Sequence, residues 1–449
     1  MNRAVVRGAA VGALGGWLFG FDTAVVSGTT AGLTQVFALS SRQLGFTVGI
    51  ALVGTVLGAM SSGALESRFG GRVMLRVMAL LYFVSAVGCA LAPSWGALLL
   101  ARFIGGVGIG GSSVLGPVYI AEISPPNLRG RLVGTFQVNI VVGVLCAYLS
   151  NYLIACWSPG LTEWRWDFFV AALPALAFAY LLFGIPESAR WLAAKGRHDE
   201  ALAALTTIGS PDPSGDLLKI VHSIEEDARS SSESLFQRKY RKPIFLAASI
   251  AIFNQLSGIN IITYYLNYIF AAAGFSKLSS SLQAIAFGVA NLTATLVGMA
   301  LIDRIGRKKL LIVGAIGNGL SLAGISWIFF QRAHREWLLP LILVYICFFA
   351  VSQGVVIWVY LSEVFPTRVR GKGQALGSST HWILNALISA SFPVVAHISG
   401  GIPFAFCACM MLVQLIVVSF CYPETKNVSL EEMQSVLGIE SEFAAVRSE

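Results

Sequence analysis

Charge is the first thing this sequence has little of. Only 12% of its 449 residues are Asp, Glu, Lys or Arg, about half of the roughly 25% carried by an ordinary soluble chain, and the mean hydropathy is +0.73. That composition excludes a water-solvated globular surface. Paired cysteine spacing is lacking too. Cys89, Cys146, Cys156, Cys347, Cys407, Cys409 and Cys421 lie in or at the ends of apolar runs with no CxxC among them, which excludes the common zinc and dithiol arrangements and leaves them as packing residues. There is no phosphate-binding loop, nucleophile elbow or metal-ligand spacing, so neither enzyme activity nor a cofactor nor a metal is expected. The first apolar run continues past Asp22 without a small-residue cleavage pattern, so no cleavable signal peptide is expected either.

What is abundant is apolar sequence in lengths of about 20 residues, enough to cross roughly 30 Å of hydrocarbon. Such runs fall near 8–30, 44–66, 73–92, 95–122, 132–155 and 167–185, and again near 243–272, 281–302, 309–330, 337–362, 373–398 and 402–422. Six plus six predicts an all-α membrane protein with twelve transmembrane helices. The expected organisation is an N-terminal six-helix bundle over 1–185, a cytoplasmic helical linker over 186–242, a C-terminal bundle over 243–422 and a cytoplasmic tail over 423–449. The linker is the only long polar stretch, with short helical patterns such as DEALAALTTI.

Lys and Arg placement sets the expected orientation. One face collects Arg3, Arg7, Arg68, Arg72, Arg76, Arg129, Arg131, the basic residues of the linker, Arg304, Arg307, Lys308, Lys309, Arg368, Arg370, Lys372, Lys426 and Arg447; the other has Arg42, Arg165, Lys277, Arg332 and Arg335. Both termini are therefore expected in the cytoplasm. The net charge of +8 follows from this bias and does not require a nucleic-acid partner.

The two halves repeat. YIAEISPPNLRGR (119–131) aligns without a gap on YLSEVFPTRVRGK (360–372), ESRFGGR (66–72) on IDRIGRK (302–308), and PES (186–188) on PET (423–425). More weakly, GFD (20–22) falls on GIN (258–260), which makes Asp22 the counterpart of Asn260. Parallel repeats of this kind place a substrate site near the bilayer midplane at the repeat interface.

These motifs, with PESARWL, QLSGIN and PETK, resemble the sugar porter family of the major facilitator superfamily, in order and over essentially the whole chain. The resemblance implies a twelve-helix, alternating-access monosaccharide transporter with a cytoplasmic helical linker; a plasma membrane, with a bacterial inner membrane foremost, and function as a monomer are expected. Its substrate partners would be a sugar and, in the symporters of the family, a proton.

Three sets of residues are candidates for the mechanism. The first is a charge set at the inner helix ends: Glu122, Arg129, Glu187, Arg190, Arg304, Arg307, Glu363, Arg370 and Glu424. In the family such residues latch the inner mouth; the alternative is ordinary solvated helix ends. The first-half loop departs from the family pattern, with Ser67 where Asp is usual and Gly71 where Arg is usual, so the latch is expected to lean on the second half. The second set is polar or amphipathic residues in apolar runs, which tend to face an interior or a cavity: Gln137, Asn254, Gln255, Asn260, Asn291, Trp358, His381 and Trp382. Amides both donate and accept and so match hydroxyls without charge, and a Trp face suits the C–H side of a sugar ring. The resemblance puts Gln137, Gln255, Asn260, Asn291 and Trp358 at the family's sugar site. Asn254 and His381 depart from the residues usual there. Interhelical packing is the alternative role for each.

The third set is Asp22 and Arg102. Asp22 lies about 22 Å up the first helix from Arg7, and Arg102 about 10 Å down the fourth from Trp95, at 1.5 Å per residue. The two depths agree. An Asp beside Arg stays ionised, whereas burial away from that partner favours the neutral acid, which is what a proton-coupling site requires. In the resemblance, the symporters have this Asp with Arg on the fourth helix and many uniporters have Asn. The expected function is thus proton-coupled monosaccharide symport, hexose or pentose. The alternatives are proton-independent facilitated diffusion, a structural salt bridge with no proton traffic, and, ranked lower, a sugar sensor or a drug antiporter.

Overall fold

The computed structural model describes residues 2–125, 128–230, 234–366, 369–428 and 430–439. Pro126, Asn127 and Thr367 of the repeated motif, and Arg368 and Arg447 of the charge pattern, lie outside the described residues. Among the described residues all regular elements are helices, and twelve helical segments are long and apolar enough to cross a membrane.

The chain forms two compact units. Unit 1 comprises Met1–Arg229, Thr263–Ala271 and Phe275–Gly288; unit 2 comprises Ser230–Ile262, Ala272–Gly274 and Val289–Glu449. In chain order the helices are α1 (Arg3–Phe37), α2 (Ser41–Phe69), α3 (Gly71–Leu91), α4 (Trp95–Ile123), α5 (Arg129–Trp157), α6 (Glu163–Phe169), α7 (Ala172–Leu181), α8 (Ala189–Ala194), α9 (His198–Ile208) and α10 (Pro213–Ser230). They continue with α11 (Arg241–Leu256), α12 (Ile259–Ala272), α13 (Lys277–Ile305), α14 (Arg307–Gln331), α15 (Leu338–Val351), α16 (Gln353–Glu363), α17 (Arg370–Ile398), α18 (Ile402–Cys421) and α19 (Leu430–Val436).

In unit 1, Leu75, Met78 and Tyr82 of α3, Leu115 and Tyr119 of α4 and Phe178 of α7 form a buried core. The second core, in unit 2, contains Leu246 and Ile250 of α11, Leu311 of α14, Val356 and Tyr360 of α16 and Val418 of α18. The linker helices pack by amphipathicity: Leu217, Ile220, Val221 and Ile224 recur at helical spacing on α10 and close over Leu192, Ala201 and Leu205. The repeat shows in the turns. Gly70 between α2 and α3, and Gly306 between α13 and α14, take φ of +94° and +100°, a backbone that a side chain strains, and so each reverses the chain in one residue.

Three runs read from sequence as continuous are broken. The sixth starts at Glu163 instead of 167 and tightens before α7, where the Ala171 N–H bonds the Phe168 carbonyl; Pro174 has no N–H for the carbonyl one turn back. The seventh breaks at Gly258, φ +83°, and the tenth at Ser352, φ −112° and ψ −92°. Interrupted helices of this sort expose backbone polar groups where transporters bind substrates. Here part of that backbone is satisfied locally: the Ser257 hydroxyl donates to the Asn254 carbonyl at 2.6 Å, and the Tyr345 hydroxyl to the Ser257 carbonyl at 3.0 Å.

Candidate functional site

In unit 1, α1 and α4 bring Asp22 and Arg102 together, as the depth count required. Arg102 Nη1 donates to both carboxylate oxygens, at 3.0 and 3.1 Å, and the guanidinium is buried. A single nitrogen makes both contacts, while Arg102 Nε has no partner among the described residues. The pair is therefore less than the two-nitrogen fork that holds a carboxylate most firmly. On another side the guanidinium lies 5.4 Å from the centre of the Phe168 ring. Gln137, on α5 of the same unit, is half-buried, and its side chain makes no hydrogen bond among the described residues.

Unit 2 gathers six of the other polar or aromatic candidates around the break between α11 and α12. Buried Gln255 is the hub: its Nε2 donates to Asn254 Oδ1 at 3.2 Å and faces the His381 ring nitrogens at 3.0 Å, while its Oε1 accepts from Asn260 Nδ2 at 2.8 Å. Asn254 in turn donates to the Gln353 carbonyl at 3.4 Å. Trp358 and Trp382 flank His381 at 5.2 and 5.1 Å between ring centres. Trp358 keeps 39% of its surface open, a face on which a sugar ring could stack. Asn291 on α13 is not drawn into this network; its Oδ1 accepts from Thr295 at 3.5 Å. Sequence reasoning missed Gln353, whose Nε2 donates to Gln414 Oε1 at 2.8 Å. Both are amides in apolar runs, the same signal that singled out Gln137.

Part of the charged set forms two related clusters, one within each unit. In unit 1, Glu187 Oε1 accepts from the backbone N–H groups of Arg72 and Ser188 at 3.0 and 3.1 Å, and Tyr119 donates to the Pro186 carbonyl at 2.7 Å. In unit 2, Glu424 accepts from the N–H groups of Arg307 and Lys308 at 2.9 and 3.2 Å, and Tyr360 donates to the Pro423 carbonyl at 3.4 Å. Each Glu thus places its charge at a helix N-terminus, the start of α3 or of α14, where unpaired N–H groups favour an anion. Burial pushes the Tyr422 phenol, stacked on Tyr360, upward from its usual range.

The clusters differ most at Arg307. Arg307 makes a two-nitrogen contact to Glu363 at 2.8 and 3.2 Å and also reaches Asp303 at 3.0 Å. Its repeat counterpart is Gly71, beside Glu66 and Glu187. Glu122, counterpart of Glu363, lies in the field of Arg190. Lys426 Nζ donates to the Arg304 carbonyl at 2.6 Å, and Arg129 is exposed at the start of α5. A Cβ on Gly71 would meet Glu66 Oε1 at 3.3 Å and the Tyr119 ring at 3.7 Å, so a side chain fits with a small shift. Gly71→Arg is expected to add a charge-assisted contact to this acidic group and stabilise unit 1 by about 1 kcal/mol, read as a raised thermal midpoint of the purified protein; an unchanged or lowered midpoint counts against the repeat argument.

Twelve apolar helices, interrupted spans and a polar network at one interruption define a multi-pass membrane transporter. Residues 8–437 match the family described as Sugar (and other) transporter, and the chain belongs to that family. It is 35% identical to the D-xylose-proton symporter of Escherichia coli K12, over 95% of this chain and 94% of that protein. It is also 33% identical to the glucose transport protein of Synechocystis, over 94% and 95%. The inward open conformation of the xylose transporter XylE from E. coli has the same fold, with a TM-score of 0.85 at 34% identity, covering 96% of this chain and 99% of that one. The fold is that of the major facilitator superfamily, and the family is one of transporters, not enzymes.

Proposed function

We propose that this protein moves a monosaccharide together with a proton by alternating access, with Asp22 and Arg102 as the coupling pair. The observation that carries the proton half is the contact of one Arg102 nitrogen with both Asp22 oxygens inside a membrane-spanning bundle. In general, a carboxylate beside an arginine is favoured in its charged form, and one moved from that partner into an apolar setting is favoured as the neutral acid. The sugar half is supported by the Gln255 hub with Asn254, Asn260, His381 and the open Trp358 face; Asn291 of unit 2 is assigned to the same substrate, and Gln137 of unit 1 is carried as a sugar-binding candidate on the family resemblance. The names of the relatives make an aldopentose such as xylose the first candidate and keep glucose in the test panel. The Lys and Arg bias supports cytoplasmic termini, and the likeness to the E. coli symporter supports a bacterial inner membrane. Uptake of labelled monosaccharides into proteoliposomes, with and without an imposed pH gradient, tests this reading: uptake indifferent to an uncoupler means facilitated diffusion, and binding without uptake means a sensor.

The charge clusters are assigned to the inner mouth. Glu363 accepts from Arg307 and from the Thr425 hydroxyl, the latter at 2.6 Å. Glu363→Gln replaces a charged contact by a neutral one, which weakens it by about 1 kcal/mol or more. The variant is expected to favour the inward-open state, with a several-fold slower transport cycle and retained sugar binding. A cysteine placed at the cytoplasmic mouth reports this through faster thiol labelling; equal labelling in variant and parent removes Glu363 from the latch.

A further inference from the structure

Unit 1 holds a fully buried acid that the Asp22–Arg102 pair does not use. Asp167 lies on α6, one turn after Glu163, with 0% exposure and no hydrogen-bond partner for either carboxylate oxygen among the described residues. Its end of the bundle is marked by Phe37, the last residue of α1, whose ring centre lies 5.5 Å from that of Trp164. There Glu163 is bonded by Lys277 of α13, whose side chain is largely exposed. Asp167 is therefore just beneath an ion pair, at the end of unit 1 remote from Arg3.

The charged groups acting on Asp167 are Glu163 and Lys277. The other titratable groups nearby are turned elsewhere. Arg165 of α6 donates to the carbonyls of Ala90 and Ala92, Arg102 of α4 holds Asp22, and Tyr148 of α5 donates to the Thr263 carbonyl. On α3, Cys89 is buried in the fields of Arg102 and Asp22, and on α5 Tyr152 lies beside Cys156. Lys277 is already engaged by Glu163, so it offers Asp167 little net compensation. An ionised carboxylate in this position would keep its whole desolvation penalty, with no donor to offset it.

We propose that Asp167 is a second proton-binding carboxyl of this protein, held as the neutral acid while the Glu163–Lys277 pair covers it and ionised when that pair separates. The step is a simple protonation: the carboxylate takes a proton from hydronium at that end of the bundle, leaving water and a carboxylic acid. The site rests on the geometry of unit 1 and not on Asp22 being the coupling group.

Infrared difference spectra of the full-length protein in lipid, stepped in pH, test this directly. A titrating carboxylic-acid carbonyl band is expected that is lost in Asp167→Asn and kept in Asp22→Asn. In Glu163→Gln a like charge disappears and Lys277 is freed to face Asp167, so the midpoint of that band should move to lower pH by about one unit or more. This second variant carries the test if Asp167→Asn fails to fold. The proposal is overturned if the band survives Asp167→Asn, if Glu163→Gln leaves its midpoint unmoved, or if sodium instead of pH controls it.

Discussion

Asp22→Asn is expected to reduce proton-driven sugar accumulation to simple equilibration, an internal-to-external ratio of about one, while counterflow exchange continues. A pH gradient can drive only a step that changes protonation, so removing the titrating group removes the coupling whatever the gradient. Asn keeps the size of Asp, and its amide oxygen can still accept from Arg102 Nη1, which now holds both carboxylate oxygens at 3.0 and 3.1 Å. Losing the charge has a cost, since breaking a buried pair destabilises by roughly 3–5 kcal/mol when a charge is left uncompensated. The retained hydrogen bond offsets part of it. Counterflow in the same vesicles separates the two effects: a misfolded variant loses exchange, whereas an uncoupled one loses only accumulation. Accumulation that persists in a folded Asp22→Asn protein makes the pair a structural salt bridge.

The contact between Asp22 and Arg102 was legible in the sequence because both lie in α1 and α4 stretches without a break, where depth follows from counting residues at a fixed rise. The same counting could not find the Gln255 hub. Its geometry depends on the backbone leaving helical form at Gly258, and a single Gly or Ser in an apolar run carries no mark of whether the helix bends there, since both are tolerated in membrane helices. The break at Ser352 is equally silent, yet it accompanies the approach of the Gln353 carbonyl to Asn254.

Asp167 was missed for a related reason. The hydropathy run begins at residue 167, so an acid there reads as a solvated flank. The helix begins at Glu163, where Lys277 pairs with Glu163 and Trp164 is buried, and this puts Asp167 a full turn inside. The repeat, by contrast, was readable: Glu187 and Glu424 perform the same helix-end contact from matched motifs. Gly71 marked in advance where the unit 1 cluster would lack the guanidinium that Arg307 supplies in unit 2.

Gln255→Ala is expected to weaken sugar binding tenfold or more without abolishing the fold. Gln255 is bonded on both sides, to Asn254 and the His381 ring through Nε2 and to Asn260 through Oε1. Truncation therefore removes one amide and also leaves the Asn260 amide and the imidazole without their present partner. Each buried polar group left unsatisfied costs about 1–3 kcal/mol, and 1.4 kcal/mol is a factor of ten in affinity. Disorder spread through unit 2 would also weaken binding, so affinity for one sugar is not enough. A series of deoxy sugars resolves this as a double-mutant cycle. The analogue lacking the hydroxyl that Gln255 recognises should bind the parent protein weakly and lose little further affinity in Gln255→Ala, whereas the other analogues should lose the full factor. If the variant weakens every sugar by the same factor, Gln255 organises unit 2 without touching the substrate, and the proposed sugar site must be sought elsewhere in the chain.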